Sequence, residues 1–98
     1  MRPDLNLAHV LVALEECRSL KGAAGSLGVS ESTVRNALAM LRLQVGDPLF
    51  TARDGVLYPT RQGADLARRL RPAIKAVAAA LVPVVAVPQL SGQYVTAI

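Results

Sequence analysis

Apolar residues recur at steps of three and four along three stretches in the first half of the chain, which is the spacing of amphipathic helices. The stretch 6–18 places its apolar side chains on one face: Leu7, Val10, Leu11, Leu14 and Cys17. The stretch 20–27 has Leu20, Ala23, Ala24 and Leu27 on one face, and the stretch 31–45 has the same spacing at Val34, Leu38, Leu41 and Val45. We therefore predict helices over Asn6–Arg18, Leu20–Leu27 and Glu31–Val45, with Cys17 in the core.

The connection between the second and third predicted helices has the composition of a helix-turn-helix. Gly28 stands where a chain that turns sharply between two helices needs a positive φ. Val29 is expected to fill the turn, and Ser30 is expected to cap the following helix. Ala24 leaves room for the close approach of the two helices. In proteins that bind DNA through this arrangement, the second helix enters the major groove.

Two short β-prone stretches follow the third helix, at Leu49–Ala52 and Val56–Tyr58. The Asp-Gly pair between them is a hairpin turn signal. Pro59-Thr60 then opens a long helix that reaches about residue 82, with Thr60 as its cap. The predicted fold class is mainly α: a winged helix-turn-helix with a small β-hairpin wing and a long C-terminal linker helix.

The predicted linker helix carries an apolar stripe: Leu66, Leu70, Ile74, Val77 and Leu81. A helix of about 22 residues is about 33 Å long. This is too long to pack wholly on the small domain that precedes it, which we call the head. We therefore predict that the stripe pairs with a second copy in a homodimer; the alternative is that it folds back on its own domain. Pro72 predicts a kink or a division into two shorter helices.

These elements divide the chain into three expected parts. Residues 1–59 form the winged helix-turn-helix domain and residues 60–82 the linker, or dimerisation, helix. Residues 83–98 show no helical period and are expected to begin a missing effector domain or to be disordered.

Composition narrows the class of protein. The 98 residues are 52% hydrophobic and 3% aromatic, which fits one small helical domain. The net charge of +4 favours a polyanionic partner. The single cysteine excludes an internal disulfide, and the N-terminus lacks the order of a signal peptide. The longest apolar run, 76–87, is interrupted by Pro83 and is too short to span a bilayer. We expect a cytoplasmic protein without a membrane partner.

The sequence carries no pattern of catalytic or cofactor chemistry. Its His, Cys and acidic residues lack metal-ligand spacing. The only histidine, His9, lies on a different predicted helix from Ser30 and Ser32, which leaves these hydroxyls without a base. We expect neither an enzyme nor a cofactor.

Several segments together resemble the N-terminal DNA-binding region of the LysR-type transcriptional regulators, over about residues 4–82. The segments are DLNL (4–7), LGVS (27–30), STVRNAL (32–38), GDPLF (46–50) and PT..G (59–63). The opening DLNL, STV.NAL and the linker proline are most similar to the nodulation-regulator branch. The resemblance implies a winged helix-turn-helix whose linker helices pair antiparallel in a dimer. It also implies a two-lobed effector domain, so a small-molecule effector is expected only if such a domain follows Ile98.

The chain departs from the family pattern at three positions expected near DNA. Glu31 stands where the family usually has Gln, and Arg35 where it usually has Ser or Thr. In the wing, Ala52 occupies the place of a common Arg, and Arg53 comes one residue later. The resemblance therefore predicts the fold, but it does not predict the DNA sequence that the chain binds.

The face of the third helix opposite its apolar residues supplies the expected base contacts: Arg35, Asn36, Ser32 and Glu31. Arg35 matches guanine N7 and O6, and Asn36 matches adenine N6 and N7. Glu31 either accepts from cytosine N4 or interacts with the positive end of its own helix. The expected phosphate and wing contacts are Ser30, Thr33, Arg42, Arg53 and Arg61.

The predicted function is a sequence-specific, double-stranded DNA-binding module of a transcriptional regulator that acts as a homodimer. The alternative is a protein-interaction module that heterodimerises with full-length relatives through the linker helix and does not itself bind DNA. A mobility shift on DNA at moderate salt distinguishes the two.

Overall fold

The computed structural model describes residues 5–86, and the side chains of residues 6–80. The elements in chain order are α1 (Leu5–Cys17), α2 (Leu20–Leu27), α3 (Glu31–Val45), β1 (Phe50–Arg53), β2 (Val56–Pro59) and α4 (Arg61–Ala86). The predicted winged helix-turn-helix is confirmed. The bounds of α2 and α3 are those predicted, and α1 begins and ends one residue earlier than predicted.

The core lies where α1, α2 and α3 meet the base of the hairpin. Its largest fully buried side chains are Phe50, Leu11, Leu14, Leu49 and Val34. Ala23 and Ala24 of α2 are also buried, at 0% and 5% exposure, so the predicted close approach of the helices is confirmed. The small residues of α2 thus allow α3 to pack closely while its opposite face stays in solvent.

Local signals fix the turn between α2 and α3. Gly28 has φ 71° and donates its N–H to the carbonyl of Ala24, as expected of a helix C-cap. The Ser30 hydroxyl accepts a hydrogen bond from the N–H of Thr33 at 3.1 Å and caps α3. Both predicted caps are confirmed.

Two predicted core positions are exposed. Cys17 is the last residue of α1 and is exposed, because the chain leaves the helix at Arg18, whose φ is 59°. The core side of α1 is instead the continuous run 10–14, since α1 contacts α2, α3, α4 and β2. Val29 is 41% exposed and does not fill the turn.

The two strands form an antiparallel hairpin in which Phe50 pairs with Pro59 and Arg53 with Val56. Asp54 and Gly55 both have positive φ, at 50° and 78°, the backbone of a tight two-residue hairpin turn. The hairpin is anchored beside the helices, because the N–H of Leu57 donates to the carbonyl of Arg18 at 2.9 Å.

A compact joint connects the base of the wing to the start of α4. One Asp47 carboxylate oxygen accepts from the N–H of Leu49 and from the Thr60 hydroxyl, both at 2.7 Å. Thr60 in turn accepts from the N–H of Gly63 at 3.0 Å, which confirms it as the helix cap. A Cβ on Gly63 would lie 2.1 Å from the Leu49 carbonyl oxygen. Position 63 therefore requires glycine for this close approach.

Helix α4 is one continuous element of 26 residues that extends past the predicted end at residue 82. The alternative with two shorter helices at Pro72 is wrong. Pro72 lies at an exposed position of α4 and, because it has no N–H, removes one helical hydrogen bond without dividing the helix. The expectations for 87–98 lie outside the described residues.

The apolar stripe of α4 is divided between two environments. Leu66 and Leu70 pack against the core of their own head, next to the buried Ala67. Ile74 is half-buried, and Val77 is 45% exposed. The side chain of Leu81 lies outside the described residues. The first half of the stripe is thus packed within one chain, whereas Val77 leaves apolar surface in solvent.

Candidate DNA-binding surface

Helix α3 presents a solvent-exposed face opposite its buried residues. Val34, Leu38 and Leu41 point into the core, at 0%, 5% and 7% exposure. The residues predicted to read bases are all exposed: Glu31, Ser32, Arg35 and Asn36. One helix therefore brings these four predicted site residues together on the surface.

Arg35 and Asn36 are free to bind a ligand. Neither side chain makes a hydrogen bond or ion pair with another described residue. Arg35 offers a planar set of N–H donors, and Asn36 offers one donor group and one acceptor. These are the side-chain types that form bidentate pairs with guanine and adenine edges in the major groove.

Three hydroxyl groups cluster at the N-terminus of α3. The Ser30 oxygen lies 3.2 Å from that of Ser32 and 2.9 Å from that of Thr33. All three residues are exposed. Hydroxyl donors at the positive end of a helix form a favourable environment for a phosphate oxygen. Glu31 also lies in this first turn, where its carboxylate is stabilised by the same helix end.

Arg42 connects the last turn of α3 to the wing. Its Nε donates to the Pro48 carbonyl at 2.7 Å, and its Nη2 donates to the Phe50 carbonyl at 3.0 Å. Sequence reasoning predicted a phosphate contact for Arg42 and missed this positioning role. Gly46, with φ 76°, reverses the chain direction, and the carbonyls of Pro48 and Phe50 therefore lie near the end of α3. The glycine four residues after Arg42 was the sequence signal that could have predicted these contacts.

The wing presents Arg53 against an aromatic ring. The Arg53 guanidinium lies 4.7 Å from the centroid of the Tyr58 ring, within the range of a cation–π interaction. The register places both side chains on one face of the hairpin, together with Thr51 and Val56. Because Tyr58 supports its guanidinium, Arg53 projects from the wing in a defined orientation.

The basic residues of α4 differ in their surroundings. Arg68 and Arg69 pair with Asp65, and Arg71 pairs with Glu15 and Glu16 of α1. Hydrogen bonds to Glu16 and Glu15 raise the pKa of Arg71. Arg61 is exposed at the first residue of α4 and has no acidic partner among the described residues. Of this group of arginines, Arg61 is thus the one that is available to a phosphate.

Other kinds of site are not found in the part of the chain that the structure describes. Within residues 5–86, no group of three or more His, Cys, Asp or Glu side chains is arranged to hold a metal ion. None of the described helices is both long and apolar enough to cross a membrane.

Comparisons with known proteins agree with this geometry. Residues 5–64 match the family model described as bacterial regulatory helix-turn-helix protein, lysR family. Nodulation protein D 2 of Bradyrhizobium sp. (strain NC92) is 42% identical over 71 residues, which cover 72% of this chain and 21% of that protein. The chain spans between 21% and 26% of the length of the first curated relatives that it matches. The predicted resemblance to nodulation regulators is confirmed.

Solved structures share the fold. A probable transcriptional regulator from Pseudomonas aeruginosa has a TM-score of 0.78 and 35% identity, covering 82% of this chain and 27% of that one. The crystal structure of a BenM_DBD/benA site 1 DNA complex has a TM-score of 0.74 at 18% identity, covering 81% and 92%. This chain belongs to the lysR family of bacterial regulatory helix-turn-helix proteins.

Proposed function

We propose that this chain binds a specific double-stranded DNA sequence as a homodimer, with α3 of each copy in the major groove of one half-site. The observation that carries the proposal is the exposed face of α3, on which Arg35 and Asn36 have no partner among the described residues. Arg53 projects from the wing over Tyr58, and the chain has a net charge of +4. Double-stranded DNA matches both the hydrogen-bonding groups of Arg35 and Asn36, through its base edges, and the positive charge, through its phosphates.

The roles of the side chains follow from their positions. Arg35 and Asn36 contact base edges, and Ser32 and Glu31 lie beside them at the entrance of the groove. Phosphate groups are bound around this centre by the remaining predicted contacts: Ser30, Thr33, Arg42, Arg53 and Arg61. The two Arg42 donors that bind the wing also orient the wing relative to α3.

The open part of the α4 stripe supports the homodimer. Leu66 and Leu70 stabilise the head of their own chain, so we assign pairing mainly to Ile74, Val77 and Leu81. Val77 leaves 45% of its surface in solvent, and a second apolar stripe covers such a surface. A dimer also places two recognition helices on one duplex, which raises the affinity for a two-part site.

The proposed division of the chain follows the predicted domains. We propose that residues 1–59 are the DNA-binding unit, that residues 60–82 form the linker helix, and that a small-molecule effector binds only if an effector domain follows Ile98. The short share of each relative that the chain covers supports this division. We propose a binding role without catalysis, in the cytoplasm, where the nucleoid is accessible.

The test is a selection of binding sites from a random duplex library, followed by mobility shifts with the recovered DNA. We expect a two-part site with similar half-sites, bound more tightly than a scrambled duplex. A folded chain that binds no duplex at low salt but pairs with full-length relatives would overturn the proposal and support the protein-interaction alternative. The family match favours DNA binding over that alternative.

A further inference from the structure

The exposed face of α3 changes its chemical character halfway along the helix. Its first half is polar and carries Ser32, Arg35 and Asn36, whereas the middle of its second half carries Ala39, Met40 and Leu43, with the exposed Arg42 and Gln44 on either side. Leu43 is 82% exposed and Met40 is 50% exposed, so this second half leaves large apolar surface in water. The contacts proposed above, which use hydrogen bonds and charge, give these residues no role.

Helical geometry aligns the apolar half with the polar half. Asn36 and Leu43 are seven residues apart, which places them within about 20° of each other around the helix and about 10 Å apart along its axis. Ala39 lies between them, and Ser32 precedes them on the same side. This stripe is opposite the buried Val34, Leu38 and Leu41. A duplex that receives Asn36 in its major groove therefore continues in front of Ala39 and toward Leu43.

The chemistry of the groove indicates what such residues can recognise. Ala39 and Leu43 have neither donor nor acceptor in their side chains, so they cannot read a base by hydrogen bonding. The apolar group that a base pair presents in the major groove is the 5-methyl of thymine, and apolar side chains contact it. Burial of that methyl group against Leu43 removes apolar surface of both partners from water.

We propose that Ala39 and Leu43 read thymine methyl groups in the part of each half-site that lies beyond the base contacted by Asn36. Arg35 and Asn36 specify bases by hydrogen bonds, and Ala39 and Leu43 extend the readout by apolar contact. The inference rests on the proposed function, because it requires α3 to lie in the major groove. A protein partner that covers Leu43 is the competing explanation, and the experiment separates the two.

The experiment uses the full 98-residue chain and the duplex recovered by selection. Each thymine of one half-site is replaced in turn by deoxyuridine, which removes the 5-methyl and leaves the pairing edge unchanged. At one or two positions we expect the chain to bind the uracil duplex about fourfold more weakly, which corresponds to about 0.8 kcal/mol for one buried methyl-sized group. In Leu43→Ala that penalty should disappear at the position nearest Leu43.

The control variant is Gln44→Ala, at an exposed neighbouring position about 100° around the helix from Leu43. Both alanine substitutions keep good helix formers on a solvent-exposed surface, so the fold is retained. Gln44→Ala should keep the full uracil penalty. In Ala39→Ser we expect the penalty to fall at a thymine closer to the Asn36 contact.

Two results would overturn the inference in different ways. If the duplex is bound specifically but uracil costs nothing, or costs the same in the chain and in the variants at positions 39 and 43, Ala39 and Leu43 do not read methyl groups, and the proposed function stands. If a folded chain binds no duplex of any sequence, the proposed function fails and the inference fails with it.

Discussion

At the scale of single residues, the roles proposed for Arg35 and Arg53 can be tested separately, one as a base contact and the other as a phosphate contact. Arg35 projects unpartnered from the second turn of α3, whereas Arg53 is held over Tyr58 on the wing. We expect Arg35→Ala to weaken binding to the selected site by about 1–3 kcal/mol and to relax the preference at one base pair per half-site. Binding-site selection with the variant checks this. An unchanged selected sequence with lower affinity would transfer the base contact to Asn36.

Arg53→Ala should weaken binding to all DNA sequences by a similar factor. Because we propose that its guanidinium contacts the charged DNA backbone, we expect the plot of log K against log salt to become shallower by up to about one unit per subunit. Salt titrations on the selected and the scrambled duplex measure this directly. A loss confined to the selected duplex would place Arg53 on a base.

Gly63 and Gly25 form a matched pair for stability. A methyl group on Gly63 would meet the Leu49 carbonyl oxygen at 2.1 Å, whereas a methyl on Gly25 would meet nothing within 4 Å. Gly63→Ala should destabilise the chain by about 1–3 kcal/mol or more, because backbone must move to admit it. Gly25→Ala should stabilise α2 by about 0.5–1 kcal/mol. Urea unfolding of both variants tests this, and equal midpoints would contradict the geometry of the joint.

At the scale of elements, the sequence predicted those parts that depend on local signals. Gly28 caps the C-terminus of α2 and Ser30 caps the N-terminus of α3. Because each cap bonds only with residues a few positions away in the sequence, both helix boundaries were predictable. Arg42 and Gly63 instead contact carbonyl groups of residues 48 and 49, which approach them only after the chain has turned. The periodicity of a single helix does not predict such contacts between separate parts of the chain. Cys17 was misplaced for the same reason, since the helical period continued while the chain had already turned at Arg18.

The candidate site was predictable to a similar degree. The exposure of Arg35 and Asn36 follows from the period of α3 alone, which fixes their position opposite Val34 and Leu38. The contacts of Arg42 with the wing and the ion pairs of Arg71 depend on the packing of separate elements. The ion pairs decide which arginines of α4 remain available to a phosphate, and a linear pattern contains neither kind of contact.

The division of the α4 stripe leads to an element-scale prediction about the dimer. Val77 is exposed, whereas Leu70 packs on its own head, so Val77→Asp tests pairing without damaging the core. We expect this variant to sediment as a monomer at tens of micromolar and to bind the two-part site much more weakly. The control is Ala79→Asp, which adds the same charge on the opposite side of α4. A wild-type chain that is already monomeric would contradict the homodimer.

At the scale of the whole molecule, the charge distribution predicts a steep salt dependence. The net charge is +4 per chain, and several arginines of α4 are already paired with acidic residues. If each subunit neutralises about three to five phosphates, the dimer should show a slope of log K against log salt on the order of −5 to −9. Mobility shifts or anisotropy across a range of salt concentrations measure the slope. A flat plot would argue against DNA as the partner.

The contacts between α4 and the head couple the position of the far end of this long helix to the orientation of the head, as in a lever. Its near end is fixed by Asp47, Thr60 and Gly63, and Arg71 fastens it to α1 through Glu15 and Glu16. Because these contacts make α4 and the head move together, and the 26 residues of α4 are about 39 Å long, a rotation of the head by about 10° about the near end of α4 displaces the far end by about 7 Å. The relation also runs in reverse. A displacement of a few ångströms imposed at the far end by a second copy or by a following domain would rotate the whole head, and with it α3, against the groove.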